Sequence, residues 1–130
     1  MSIIKWSEEL SIGVASIDEQ HKQLIHSINE LHLAVEYGRS GDAILPLMAR
    51  LSDYANAHFR AEELLFTGIG YQGVAEHKQE HADFIARLQD LHKQFEYNKG
   101  YLAIHVKDFL LAWFYNHIRT KDMEYKQLVG

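Results

Sequence analysis

The chain has 130 residues, 47% of them apolar, no cysteine and a formal charge of -5. That length and apolar content suit one domain with its own core, and the missing thiols exclude disulfides, thiolate zinc sites and iron–sulfur clusters, so any metal must be held by nitrogen and oxygen. An acidic balance without a basic cluster argues against nucleic acid or an anionic membrane as partner, and with neither a signal sequence nor a long apolar run, a cytoplasmic protein without a transmembrane segment is expected.

Residues 1–17 lack a helical period, and Trp6, Leu10, Ile12, Val14 and Ile17 suggest an ordered arm over apolar surface. Asp18 offers an N-cap, and apolar residues then recur at Leu24, Ile25, Ile28, Leu31 and Val35 until Gly38 and Gly41, predicting a first helix over 19–37. Asp42 is placed to cap a second helix over 43–66, with Pro46 in its first turn or so, where no intrahelical N–H is needed. Leu47, Leu51, Tyr54, Ala55, His58, Glu62 and Leu65 trace one face of it. The glycine-bearing segment from Thr67 to Gly73 is expected to turn.

A third helix over 74–96 sets His77, His81, Phe84, Leu88, Leu91 and Phe95 along one stripe, before Asn98 and Gly100 break it. The fourth runs from Tyr101 to Arg119, with Ile104, Phe109, Leu110, Trp113, Phe114 and His117 available for burial. Four amphipathic helices joined by short loops imply an all-α, up-down-up-down four-helix bundle, a single domain over 1–130 with an N-terminal loop arm and a short C-terminal helical segment.

Nine histidines are scattered through these periodic segments. His58 and Glu62, like His77 and His81, stand four residues apart, so each pair points from one helix face toward one centre. His21 falls on the apolar stripe of the first helix. His117 and Asp122 are five apart, a rotation of about 140° and a rise of about 7.5 Å in a regular helix. Both can serve the same centre only if the helix breaks, so a distorted turn near Arg119 to Lys121 is predicted. Five histidines and two carboxylates form a nitrogen-rich set that suits iron better than manganese, and exceeds the four donors zinc needs.

The pattern Asp18-Glu19-Gln20-His21, His58-x-x-x-Glu62, His77-x-x-x-His81 and His117-x-x-x-x-Asp122 resembles that of the hemerythrin family, most closely its bacterial single-domain members, over essentially the whole chain. The resemblance implies two iron ions in a left-handed bundle, joined by an oxo or hydroxo bridge. His77, His81 and His117 would bind one iron, His21 and His58 the other, and Glu62 and Asp122 would bridge them. These donors and the shared oxygen fill about eleven of about twelve octahedral positions. The open position, on the iron with two histidines, is where the resemblance places O2.

The pocket walls that match family positions are Leu24, Phe59, Phe84, Trp113, Phe114 and Ile118, with Phe114 standing where the family usually has leucine. Tyr125 matches a position beside the ligands. The implied function is reversible O2 binding, as a carrier, store or delivery protein serving an O2-consuming enzyme, monomeric and not itself an enzyme. An O2 or redox sensor would need a separate partner, because the chain ends soon after Tyr125. A di-iron oxidase, or a scavenger of nitric oxide or peroxide, would need more carboxylates and an emptier ligand shell. His26, His32, His92 and His105 are expected outside the site, and Glu8, Glu9, Glu19, Glu63, Glu76 and Glu80 are expected as surface charge.

Overall fold

The computed structural model describes residues 3–38, 40–94 and 99–129. Four long helices carry the fold: α1 (Ala15–Glu36), α2 (Ser40–Ile69), α3 (Val74–Gln94) and α4 (Lys99–Trp113). A π turn (Phe114–Ile118), a 3-10 turn (Asp122–Tyr125) and α5 (Lys126–Val129) follow. α1 packs on α2 and α4, and α3 closes the ring between α2 and α4.

Two apolar clusters show the direction of each helix. The larger contains Leu24, Ala55, Phe59, Phe84, Leu110 and Ile118, and the smaller contains Ile12, Ile17, Phe66 and Tyr125. α1 passes from the smaller cluster at Ile17 to the larger at Leu24, while α2 passes back from Ala55 to Phe66. α3 rises again from Val74 to Phe84, and the fourth segment descends from Leu110 to Tyr125. The alternation is that of an up-down-up-down four-helix bundle. Between the two clusters each helix presents polar side chains, and that level is where the ligand candidates lie.

The arm follows its expectation, with Ile4 and Ile12 buried, although a 3-10 turn forms at Glu8–Leu10. Helix boundaries differ more. α1 begins at Ala15 after Val14, so Asp18 lies inside the first turn and is not an N-cap. Its carboxylate instead accepts hydrogen bonds from Ser11 Oγ at 2.5 Å and Ile12 N–H at 2.7 Å, tying the arm to the helix. α2 is under way by Ser40, so Asp42 does not precede it, and Pro46 falls in the second turn, where its missing N–H removes an intrahelical bond. That helix also runs on to Ile69, shortening the expected 67–73 turn. Gly38 and Gly70, with φ of 70° and 68°, follow α1 and α2 in the left-handed conformation that glycine adopts without strain.

α4 already includes Gly100, which was expected to precede it. Phe95, Glu96 and Asn98 lie outside the described residues. Ile104 is exposed rather than buried, and Ala103, Val106 and Leu110 form the core face. No helix among the described residues is long and apolar enough to cross a membrane.

Candidate metal centre

The buried polar and charged side chains among the described residues are His21, His58, Glu62, His77, His81, His117 and Asp122, the seven expected ligands. Helical spacing explains three of the placements: α2 aims His58 and Glu62 inward together, α3 does the same with His77 and His81, and α1 carries His21 one turn before Leu24.

The fourth segment needs a different device. Trp113 ends the regular helix, and Arg119 N–H bonds to Phe114 C=O, an i→i+5 bond that takes up one residue more than an α turn. The chain then turns through 119–121 and enters the 3-10 turn at Asp122. The predicted break is present, beginning one turn earlier than expected, and it brings Asp122 Oδ1 within 3.0 Å of His117 Nε2.

The donor atoms fall into two overlapping groups, each with all its atoms within 4.8 Å of one another. One contains Glu62, His77, His81, His117 and Asp122, and the other His21, His58, Glu62 and Asp122. Glu62 Oε1 lies 3.0 Å from His58 Nε2 and 3.3 Å from His81 Nε2, so this carboxylate faces both groups. Asp122 does likewise, with Oδ2 3.1 Å from His21 Nε2 and Oδ1 2.6 Å from His77 Nε2.

Hydrogen bonds on the far side of the rings fix the imidazoles. His58 Nδ1 lies 2.7 Å from Gln20 Oε1, His81 Nδ1 3.1 Å from Glu63, His117 Nδ1 2.7 Å from Glu80, and His77 Nδ1 3.4 Å from the Tyr71 hydroxyl. A proton held at Nδ1 leaves the Nε2 lone pair pointing inward. Yet His81 Nε2, His117 Nε2, Glu62 Oε1 and Asp122 Oδ2 are buried and make no hydrogen bond. Convergent lone pairs and two buried carboxylates are costly without positive charge between them. Two cations sharing the carboxylates would satisfy all of these atoms, so the donor set fits a pair of metal ions.

The electrostatics agree. Burial pushes the Asp122 carboxyl up, but the imidazoles of His117, His21 and His77 packed against it outweigh burial and hold the group well below the usual carboxylate range. Burial and the charge of Asp122 also oppose ionisation of Glu62, and His58 and His81 reverse the balance, leaving it below its ordinary value. Burial lowers His58, which favours the neutral, ligating form. For His117 burial acts the same way, but Asp122 and Glu80 prevail and raise it, so a proton and a metal compete for this ring.

Aromatic rings wall the centre. Phe59 stacks on His81 with centroids 3.9 Å apart, and Trp113 stacks on His117 at the same distance. Phe84 packs behind both, 5.4 Å from Phe59 and 4.7 Å from Trp113. Leu24, Phe114 and Ile118 belong to the same apolar cluster. Tyr125 closes the opposite end, its hydroxyl donating to Glu62 Oε2 at 2.5 Å.

Gln20, Tyr71, Glu63 and Glu80 were missed as participants. Glu63 and Glu80, expected as surface charge, instead hold His81 and His117 from outside. A carboxylate next to a ligand in sequence, as Glu63 is to Glu62 and Glu80 to His81, was the available signal. Tyr54, on the apolar face of α2, also stacks its ring on His58 at 5.1 Å. The expectation held for Glu76, which meets Lys121 at the surface, and for His26 and His92, both exposed.

Residues 12–129 match the family described as Hemerythrin HHE cation binding domain. The chain is 35% identical to the bacteriohemerythrin of Pseudomonas aeruginosa over 129 residues, covering 99% of this chain and 83% of that one. It is 31% identical to the bacteriohemerythrin of Clostridium acetobutylicum (92% and 96% covered) and 30% identical to myohemerythrin-1 of Phascolopsis gouldii (93% and 90%). Among solved structures, a hemerythrin carrying a leucine-to-tyrosine mutation superposes over 100% of both chains with a TM-score of 0.80 at 29% identity.

Proposed function

The chain belongs to the hemerythrin family, and from that premise we propose that it binds O2 reversibly at a non-haem di-iron centre, as a carrier, store or delivery protein. The observation that carries this reading is the pair of donor groups that share Glu62 and Asp122. In it, His77, His81 and His117 would hold one iron, His21 and His58 the other, and Glu62 and Asp122 would be shared between them.

When bound, the iron pair supplies the reversible two-electron exchange with O2 on which carriage depends. The chain's own residues make that exchange reversible. Hydrogen bonds at Nδ1 hold four of the five imidazoles in one orientation, so little reorganisation accompanies loading. Tyr125 pins Glu62, while Phe59, Phe84 and Trp113 wall the centre against water and the protons it would bring.

The two-histidine side is one protein donor poorer than the other, and is where O2 would enter. Seven ligand residues that would fill all but about one position leave little room for a second substrate, which favours a carrier over a catalyst. We place the function in a single domain over 1–130, acting as a cytoplasmic monomer with an O2-consuming enzyme as recipient.

The test is to load the protein anaerobically with ferrous iron, admit air while following the visible spectrum, and then degas. A charge-transfer band that appears and disappears reversibly supports the reading. Irreversible bleaching, or turnover of an added substrate, would replace it with an enzymatic one.

A further inference from the structure

The outer nitrogens of the ligand histidines meet different partners on the two sides of the centre. On the three-histidine side every ring leads to a carboxylate. His117 Nδ1 faces Glu80 at 2.7 Å and His81 Nδ1 faces Glu63 at 3.1 Å. His77 Nδ1 faces the Tyr71 hydroxyl, which itself donates to Glu124 at 2.9 Å. On the two-histidine side no carboxylate takes this part. His58 Nδ1 faces the neutral amide oxygen of Gln20 at 2.7 Å, and His21 Nδ1 is buried without a hydrogen-bond partner.

The difference has an electronic consequence. A carboxylate that accepts Nδ1–H draws on the proton and pushes electron density toward Nε2, making the imidazole a stronger donor to whatever Nε2 binds. An amide oxygen fixes the same tautomer without adding charge. A stronger donor favours the more highly charged metal, so two rings backed directly by carboxylates, with a third reaching one through the Tyr71 hydroxyl, favour a ferric ion over a ferrous one.

We propose that Glu63 and Glu80 are positioning residues that widen the difference in potential between two irons already unlike in histidine number, with Gln20 as their neutral counterpart, so that oxidation settles first on the iron held by His77, His81 and His117. The proposal rests on the di-iron reading above. When a one-electron oxidant such as ferricyanide removes one electron, Fe2+/Fe2+ becomes Fe2+/Fe3+, with no bond formed or broken in the protein. The ferric charge lies on the three-histidine side, and the two-histidine iron, where O2 enters, stays ferrous. Glu80 weighs more than Glu63, being nearer its histidine and less exposed, at 27% against 34%.

Three variants test this: Glu80→Gln and Glu63→Gln, which keep an acceptor oxygen and remove the charge, and Gln20→Glu, which adds charge on the opposite side. Iron content is measured first. Spectroelectrochemical titration then gives the two one-electron potentials, and Mössbauer spectra of the half-oxidised protein show the iron environments. Glu80→Gln should raise the first potential, Glu63→Gln should raise it less, and Gln20→Glu should narrow the gap between the two steps.

Unmoved potentials in variants that carry two irons would overturn the proposal. Should Glu80→Gln lose iron, Gln20→Glu decides alone, and an unchanged gap is then the overturning result. Failure of the unaltered protein to take up two irons would instead defeat the di-iron reading, which keeps the two failures distinct.

Discussion

Tyr125 and Glu62, 63 residues apart in sequence, meet in the core through a 2.5 Å hydrogen bond from the tyrosine hydroxyl to Oε2. The bond fixes one oxygen of the carboxylate shared by both donor groups. Tyr125→Phe should therefore weaken iron binding and lower stability by about 2 kcal/mol, the scale of a hydrogen bond to a charged acceptor. Iron titration and thermal unfolding of the stripped protein measure the two effects separately, and unchanged values in both would remove Tyr125 from the site.

Tyr54 presents the opposite case, a buried hydroxyl without a hydrogen-bond partner beside the two-histidine position. Burial, then the charges of Asp122 and Glu62, push its pKa well above the usual phenol value, so it keeps its proton. A retained proton near bound O2 favours loss of the oxygenated form. Tyr54→Phe should slow decay of the oxygenated absorption band by about fivefold, the rate equivalent of ~1 kcal/mol. Faster or unaltered decay would show that the hydroxyl does not reach the ligand.

Phe114 opens the π turn and is buried in the larger apolar cluster. Phe114→Leu removes volume from the larger apolar cluster at a position that is not itself a ligand. We expect iron loading to survive, stability to fall by about 1 kcal/mol, and the autoxidation rate to change. The same decay measurement checks this, and an unaltered rate would exclude Phe114 from control of the pocket.

Acid should destabilise the metal-stripped protein in a defined window. Asp122 and Glu62 lie below their ordinary values of 3.8 and 4.5, so their stabilisation is present above those values and disappears as pH falls through the folded-state values. His58, lowered from 6.5, contributes above 6.5 and loses that contribution on acidification. His117, raised from 6.5, contributes below 6.5 and loses it as pH rises. The two histidines oppose each other near neutrality, so the steep drop in Tm should begin only below about pH 4.5. Thermal melts across pH check this, and Asp122→Asn should remove the most acidic part of the drop.

Much of the centre could be read along the chain because the paired ligands on α2 and α3 obey one short-range rule, four residues per aligned pair. His117 and Asp122 break that rule, and the break itself foretold a distorted turn. Glu63 and Glu80 escaped because they act on helices other than their own: Glu63, on α2, meets His81 on α3, and Glu80, on α3, meets His117. Such contacts depend on how helices rotate against one another, which no single-helix spacing records. Ile104 was misplaced for another reason. The polar residues of α4, His105, Lys107 and Asp108 among them, do not gather on one side, so its period does not separate a buried face carrying Ala103 and Val106 from an exposed one. Asp18 had the right residue type for a cap and the wrong partner, since the arm claims its carboxylate.

The π turn also bears on how lengths vary at this end of the bundle. His58 and Glu62 do with four residues what His117 and Asp122 do with five, and the wider turn absorbs the surplus. Deleting one residue from 119–121 would convert the last pair to a spacing of four that a regular helix can align. Such a shortened chain should straighten and still bind two irons, a result that metal analysis would show directly. The bundle would then tolerate insertion or deletion at the point where an alignment most readily suggests that a ligand has been lost.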